Sequence, residues 1–288
     1  MGKVLYAIPT LGTRNEWLRL SIASVLGQSL DGVRAVVVAP AESPVRELAA
    51  SMGIEFLGSG RRGLSAAIND VWQRFGSGYD YLGWLADDDV LAPIALLAEA
   101  DHLDRHPGAV AVYGRLRVIR ADGSSETVLR PGRLASTLLP YGTQQVPGVG
   151  TLFRSDAVRQ VGYLDERLAY SMDYDLLLKL RKLGRLDYLP IEVAAVRVHA
   201  DRISLNRGDD GAELVLVRDR NLTARQASRY RSLRRAAYLV DRAYSSVLRR
   251  MPTPPAVRVG AVEYLHRDAR WPVHQDGGAA PVDAGAAR

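Results

Sequence analysis

The sequence predicts an α/β fold, with a mostly parallel sheet covered by helices on both faces and an antiparallel second half. Three observations predict it. From residue 4 to about 106, short apolar runs alternate with stretches whose apolar residues recur at helical spacing. The run at 33–39 is almost wholly apolar, as expected for a strand buried on both faces of a parallel sheet. Past His106 the alternation gives way to strand pairs joined by hairpin-like turns.

Taken in order, residues 4–8 read as the first buried strand, ended by Pro9-Thr10. Asn15 stands where it would cap a helix built on Leu18, Ile22, Val25 and Leu26. The second strand, 33–39, leads to a short helix at 43–52 and a strand at 54–57. A loop rich in glycine and arginine, 58–63, precedes a helix at about 64–75. The strand at 79–85 runs into three acids, and a helix at 93–106 follows. The second half is expected to hold strands at 109–118 and 127–129, joined by a turn at Ala121-Asp122-Gly123. A short helix at 134–139 and a strand at 149–153 come next. A helix capped by Ser155 ends at Gly162, and one at 176–183 is stopped by Gly184. The last strand, 188–198, is closed by His199.

From about residue 214 to 250 the pattern is helical. Leu222, Tyr230, Leu233, Ala237, Val240, Tyr244 and Val247 make an apolar stripe, opposite a face dense in arginine. That face suits docking on the domain, a homodimer contact, or anionic lipid at the inner face of a membrane. Residues 251–255 break the helix. The expected division is a domain at 1–213, a helical extension at 214–272 and a disordered tail at 273–288, where Gly, Ala, Pro and Asp dominate.

Of the 288 residues 47% are hydrophobic, enough for a substantial core, and the absence of cysteine excludes disulfides and thiolate metal sites. No apolar run approaches bilayer-spanning length, and the run at 4–8 is too short for a secretory signal, so the expected location is cytoplasmic. The net charge of +6 points to an anionic partner: a phosphate-bearing substrate, a membrane face or nucleic acid.

Four features carry chemistry. Asp87, Asp88 and Asp89 leave a buried strand at the edge where open α/β sheets bind ligands. Adjacent carboxylates repel one another, and a magnesium or manganese ion relieves that while holding a phosphate. A solvated turn or a helix cap would equally account for the acids alone. The loop Gly60-Arg61-Arg62-Gly63 precedes a helix start, a place that favours negative charge, although a plain loop has the same composition. Neither a Walker lysine nor a GxGxxG follows the first strand, which argues against a P-loop enzyme or a typical dinucleotide binder. Asp173 and Asp175 flank Tyr174 where a helix begins, one facing a cleft and the other capping or turning outward. His199, at a strand end, is either a structural hydrogen-bonder or a site residue.

Together these pieces resemble the family 2 glycosyltransferases over residues 3–204. Ile8-Pro9-Thr10 with Arg14, then Ser24-Val25-Leu26 and Gln28, is similar to the family's opening. Gly63 to Asn69 resembles its second motif, and Leu85 to Leu91 its DxD segment. Phe153-Arg154, Val161-Gly162 and residues 164–168 lead into Met172-Asp173-Tyr174-Asp175-Leu176, which resembles the acidic catalytic motif. Arg197-Val198-His199 with Ser204 resembles the closing segment. The sequence departs from the family in four places. Ala39-Pro40 stands where an acid usually meets the nucleobase, with Glu42 slightly later. Ile68 replaces an arginine for which Arg61 or Arg62 substitutes, Ala86 replaces the first DxD acid, and Met172 replaces a glutamate.

The resemblance implies a GT-A-type Rossmann-like sheet, with a nucleotide-sugar half at about 1–106 and an acceptor half at about 107–213. It implies inverting transfer from a UDP- or dTDP-sugar to a hydroxyl of a glycan, lipid-linked glycan or small molecule. The setting would be cell-surface polysaccharide, glycolipid or secondary-metabolite synthesis, with no nucleic acid partner. Pro9, Thr10, Arg14, Glu42, Arg62, Gly63, Asn69, Asp87 and Asp88 would hold the nucleotide sugar. Asp88, Asp89 and His199 would hold Mn2+ or Mg2+, and Asp173 would be the catalytic base. A sugar nucleotidyltransferase and a non-catalytic glycosyltransferase-like binding domain are the rival readings.

Overall fold

The computed structural model describes residues 1–141, 145–200 and 210–230, positions 236 and 239, and residues 256–259 and 262–265. The first half alternates as expected: β1 (Val4–Pro9), α1 (Asn15–Leu26), β2 (Val33–Pro40), α2 (Val45–Ser51), β3 (Glu55–Ser59), α3 (Leu64–Phe75), β4 (Tyr81–Trp84), β5 (Val90–Leu91) and α4 (Ala95–Arg105). The second half holds β6 (Ala109–Ile119), β7 (Ser125–Leu129), α5 (Leu134–Leu138), β8 (Leu152–Arg154), α6 (Ser155–Gln160), α7 (Met172–Leu180), β9 (Arg185–Arg197) and α8 (Asp210–Asn221).

These strands make one nine-stranded sheet in the order β3-β2-β1-β4-β8-β6-β9-β5, with β7 on β6. β3, β2, β1 and β4 run parallel, whereas β8 is antiparallel to both β4 and β6. β1 is buried throughout and feeds both cores. Val4, Tyr6 and Ile8 pack with α1, α2 and α4, while Leu5 and Ala7 pack with α3 and α7 on the other face. β5 does not continue beside β4. It crosses to pair antiparallel with β9, Val90 opposite Ala195, so the sheet curls and brings the ends of β4 and β9 together.

Several element starts differ from expectation, each for a local reason. α1 begins at Asn15 with Arg14 before it, and no side chain caps it. Arg154, not Ser155, precedes α6, and the Ser155 hydroxyl has no hydrogen-bond partner among the described residues. α7 begins at Met172, so Asp173 and Asp175 lie in its first turn, where a helix was expected to begin. The N–H groups of Ala169, Tyr170 and Ser171 donate to the Glu213 carboxylate at 2.7, 2.8 and 2.6 Å, a cap supplied from α8. Burial alone would raise the Glu213 pKa, but those three bonds outweigh it and hold the carboxyl below its usual range.

The expected continuous helix from 214 to 250 breaks at Leu222–Thr223, and residues 224–230 form a new helical segment. Thr223 and Gln226 bond reciprocally, the Thr223 N–H to Gln226 Oε1 at 2.9 Å and the Gln226 N–H to Thr223 Oγ1 at 3.2 Å. This capping box starts a helix afresh. The expected boundary at 213/214 falls inside α8, which packs on α7. Within the supposed helical extension, β10 (Ala256–Val259) and β11 (Val262–Leu265) pair as an antiparallel hairpin. Most of the apolar and arginine stripe, and the tail at 273–288, lie outside the described residues. No described helix is long and apolar enough to cross a membrane.

Candidate active site

Asp87, Asp88 and Asp89 form a tight turn just past β4, with the Asp89 N–H donating to the Ala86 carbonyl at 3.2 Å. All three are buried, and each has a different neighbour. Asp87 is held from the end of β1: Thr10 Oγ1 donates to its Oδ2 at 2.5 Å, and Arg14 Nη1 lies 3.5 Å from its Oδ1. Burial pushes the Asp87 carboxyl up, and the charge on Asp88 adds to this against the Thr10 bond and the Arg14 charge. Asp88 Oδ2 lies 2.7 Å from His199 Nε2, two residues beyond β9. The other ring nitrogen, Nδ1, is buried with no hydrogen-bond partner among the described residues. Asp89 is 2% exposed and accepts the Arg197 N–H at Oδ1, 2.9 Å away.

Behind the turn stands a polar brace. Ser21 Oγ donates to the Asp89 carbonyl at 2.6 Å, and Ser24 Oγ accepts the Leu91 N–H at 3.0 Å. The Gln28 amide donates to the Ala92 carbonyl at 2.8 Å and accepts the Leu96 N–H at 3.0 Å. Ser21 and Ser24 of α1, with Gln28 just past its end, fix the backbone from Asp89 to Leu96. The guanidinium of Arg197, 1% exposed, donates to the carbonyls of Asp88, Arg120 and Ala121 at 3.1, 3.2 and 3.0 Å. Trp17 packs over both Arg197 and His199, with ring centroids 4.8 Å apart for the histidine. Ser21 and Trp17 did not emerge from the sequence. The available signal was the pair of polar residues Ser21 and Ser24 on one face of α1, where apolar ones are the rule, with Gln28 following just past its end.

Asp173 sits in the first turn of α7, half-buried, with Oδ1 accepting the Tyr174 N–H at 2.7 Å. Gly148 packs closely against it. A Cβ on Gly148 would lie 2.6 Å from Asp173 Cβ, 3.0 Å from its Oδ2 and 3.2 Å from Trp84 Cζ2. Trp84 ends β4, three residues before Asp87, and the tip of its indole closes on the same glycine as Asp173. The Trp84 indole N–H is buried without a hydrogen-bond partner among the described residues. Asp175, in the same turn, faces the other way. It is 0% exposed and bound by Asn221 at 2.7 Å, Arg220 at 2.7 Å and Lys179 at 2.6 Å.

The remaining expected residues divide. Pro9 is buried at the end of β1 beside Thr10. Gly63 takes φ +98 immediately before α3, a conformation that favours glycine, and a Cβ there would meet nothing within 4 Å. Arg62 and Glu42 are exposed. Arg61 is committed to Asp70, at 3.0 Å, and to Glu166. Asn69 is 1% exposed, and its amide clamps a loop rather than reaching a cleft: Nδ2 donates to the Leu164 carbonyl and to Glu166, and Oδ1 accepts the Leu164 N–H at 3.2 Å. The structure therefore joins Thr10, Arg14, Asp87, Asp88, Asp89 and His199 in one network, while Asp173 packs against Gly148. Asn69 stands apart.

No protein-family model matches the chain. An uncharacterized glycosyltransferase of Rickettsia felis is 24% identical over 212 residues, 68% of this chain and 34% of that protein. Another, from Rickettsia prowazekii, is 26% identical over 208 residues, covering 67% of this chain and 63% of the relative. The chain thus spans about a third of the length of the first relative and under two thirds of the second. Among solved structures, S. aureus TarS 1-349 in complex with UDP-GlcNAc superposes with a TM-score of 0.59 at 13% identity, over 76% of this chain and 66% of that one. The mannosyltransferase PcManGT from Pyrobaculum calidifontis, in complex with GDP-Man and Mn2+, gives 0.51 at 15% identity over 85% and 80%. The fold is shared with these glycosyltransferases, in agreement with the GT-A-type sheet expected from the sequence.

Proposed function

We propose that the chain is a glycosyltransferase that moves a sugar from a nucleoside diphosphate sugar to an acceptor hydroxyl with inversion. The observation that carries this reading is the acid turn past β4, where Thr10 and Arg14 hold Asp87 and His199 meets Asp88; Asp173, which closes on Gly148 together with the tip of the Trp84 indole, is taken as the acid on the acceptor side. One carboxylate on the acceptor side and a separate acidic turn on the donor side are what such a displacement needs. The names of the sequence relatives and the ligands of the structural neighbours support the same class.

The donor set suits a hard divalent ion. Asp88 offers a carboxylate and His199 an imidazole, while no three His, Asp or Glu side chains among the described residues group closely enough to hold a metal by themselves. Magnesium and manganese sites of this kind use one or two protein ligands and complete their shell with substrate phosphate and water. When bound, such an ion neutralises charge on the leaving diphosphate as a Lewis acid. In this reading Asp88 and His199 hold it, and Asp89, tied to the Arg197 N–H, braces the turn. Asp87, fixed by Thr10 and Arg14, borders the nucleotide, and Gly63 with Arg62 at the start of α3 faces the diphosphate.

Asp173 takes the proton of the acceptor hydroxyl as its oxygen attacks the anomeric carbon from the face opposite the diphosphate. The helix N-terminus around it favours the ionised carboxylate. We take UDP or dTDP as the carrier nucleotide and a glycan, glycolipid or secondary metabolite as the acceptor. Incubation with radiolabelled UDP- and dTDP-sugars, manganese and candidate acceptors tests the reading. Transfer of label, with release of the nucleoside diphosphate and an inverted anomeric centre by NMR, is the expected result. Formation of UTP or dTTP and sugar 1-phosphate once inorganic pyrophosphate is added, without transfer of label to the acceptor, would point to nucleotidyl transfer.

A further inference from the structure

β9 joins two polar sites. His199, just past its end, belongs to the acid turn, and its first residues line a separate cleft of 560 Å3 on the order of 30 Å away. His102 Nε2 lies 3.0 Å from Asp187 Oδ2, and His106 Nδ1 lies 2.7 Å from the His102 carbonyl oxygen. The two imidazoles stack with centroids 4.0 Å apart. Arg133, Arg181 and Arg185 line the same cleft, in which Asp187 is the one carboxylate among the described lining residues.

Each arginine is set differently. Arg181 Nε donates to the Ser136 carbonyl at 2.6 Å, which fixes its guanidinium on the wall. Arg185 bonds Asp187 at 3.2 and 3.3 Å. Arg133 is exposed and forms no ion pair with a described residue. Like charges gathered in a concave site repel, and an anion between them converts that repulsion into attraction. Guanidinium forks match phosphate oxygens two at a time. The volume lies within the range of small-ligand sites.

We propose that this cleft is a second anion site, taking a phosphate-bearing ligand, either an oligophosphate or the phosphate of a lipid headgroup. It works independently of the acid-lined site, which repels such a group when no cation is present. The proposal does not depend on the glycosyltransferase reading.

The test uses the full chain in EDTA. Calorimetry with inorganic pyrophosphate, and sedimentation with phosphatidylcholine vesicles with and without phosphatidylglycerol, are compared for the native chain, for Arg133→Gln/Arg185→Gln and for Asp88→Asn. Both arginines are exposed, so circular dichroism should show the double variant folded. Pyrophosphate binding that falls roughly tenfold or more in the double variant and persists in Asp88→Asn supports an oligophosphate ligand. The same pattern with phosphatidylglycerol vesicles, without pyrophosphate binding, supports a lipid headgroup. Absence of binding to both probes, or equal binding by the native chain and the double variant, overturns the proposal.

Discussion

His199 Nε2 stands 2.7 Å from Asp88 Oδ2, although 111 residues separate them in the chain. The pairing exists because β5 leaves β4 and joins β9, drawing the two strand ends together. A cation held by these two groups predicts that nucleoside diphosphate binding depends on manganese or magnesium and on both side chains. Calorimetry with UDP or dTDP should show affinity falling roughly tenfold or more in EDTA, in Asp88→Ala and in His199→Ala. Equal affinity of the native chain with and without the metal would remove the cation from the mechanism.

Glu99 predicts a pH dependence of stability. It is 0% exposed on α4, and neither carboxylate oxygen has a hydrogen-bond partner among the described residues. Burial pushes its carboxyl well above the usual range, so it is protonated in the folded chain where the unfolded chain has already lost the proton. The folded state then binds more protons than the unfolded one, and stability falls as pH rises above about 5. Glu99→Gln removes the titration. Denaturant midpoints measured from pH 5 to 8 should decline for the native chain and decline less for the variant. Parallel declines would show that other groups govern the profile.

The two kinds of site residue were not equally legible in the sequence. The acid turn was, because a continuous apolar run ending in three aspartates has few other meanings at a strand edge. The parallel half was legible for a related reason: β1 and β2 are buried on both faces, so their apolar runs are unbroken. What escaped depends on partners distant in the chain. Asn69 closes on Leu164, Glu213 caps the backbone before α7, and Arg220 meets Asp175, each across more than forty residues. The break at Thr223 was readable, since Thr223 and Gln226 have capping-box spacing, but the apolar periodicity running through it masked the signal.

Gly148 is predicted to set the position of Asp173. Its missing side chain lets Asp173 and Trp84 approach within what would be 2.6 and 3.2 Å of a Cβ. Gly148→Ala forces one of them to move, at about 1–3 kcal/mol for overpacking. If Asp173 is the base, kcat should drop while UDP or dTDP affinity holds, because the displaced group serves the acceptor. A loss of nucleotide affinity with normal kcat would place the glycine in the donor site instead.

Asp173 and Asp175 share one helical turn yet are predicted to fail in opposite ways. Asp173 is half-buried beside Gly148 and Trp84, whereas Asp175 is sealed among Asn221, Arg220 and Lys179. Asp173→Asn keeps the shape and removes the basicity, so turnover should fall by roughly a hundredfold or more with nucleotide binding and thermal stability nearly unchanged. Asp175 does not face the acceptor and anchors α7 to α8. Arg220→Met withdraws one cation from a fully buried carboxylate. Loss of a partner from a buried pair costs about 3–5 kcal/mol, and about 2 is expected here because Arg220 remains partly exposed and Asn221 and Lys179 stay in place. The double variant Asp175→Asn/Arg220→Met should recover part of that loss, since the uncompensated charge is gone. Denaturant melts of the two single variants and the double measure the coupling directly. Additive losses would mean that the ion pair is incidental to the α7–α8 contact. A fully active Asp173→Asn beside an inactive but stably folded Asp175→Asn would transfer the role of base to the buried acid, and the separation of anchor from catalyst argued from their neighbours would fall with it.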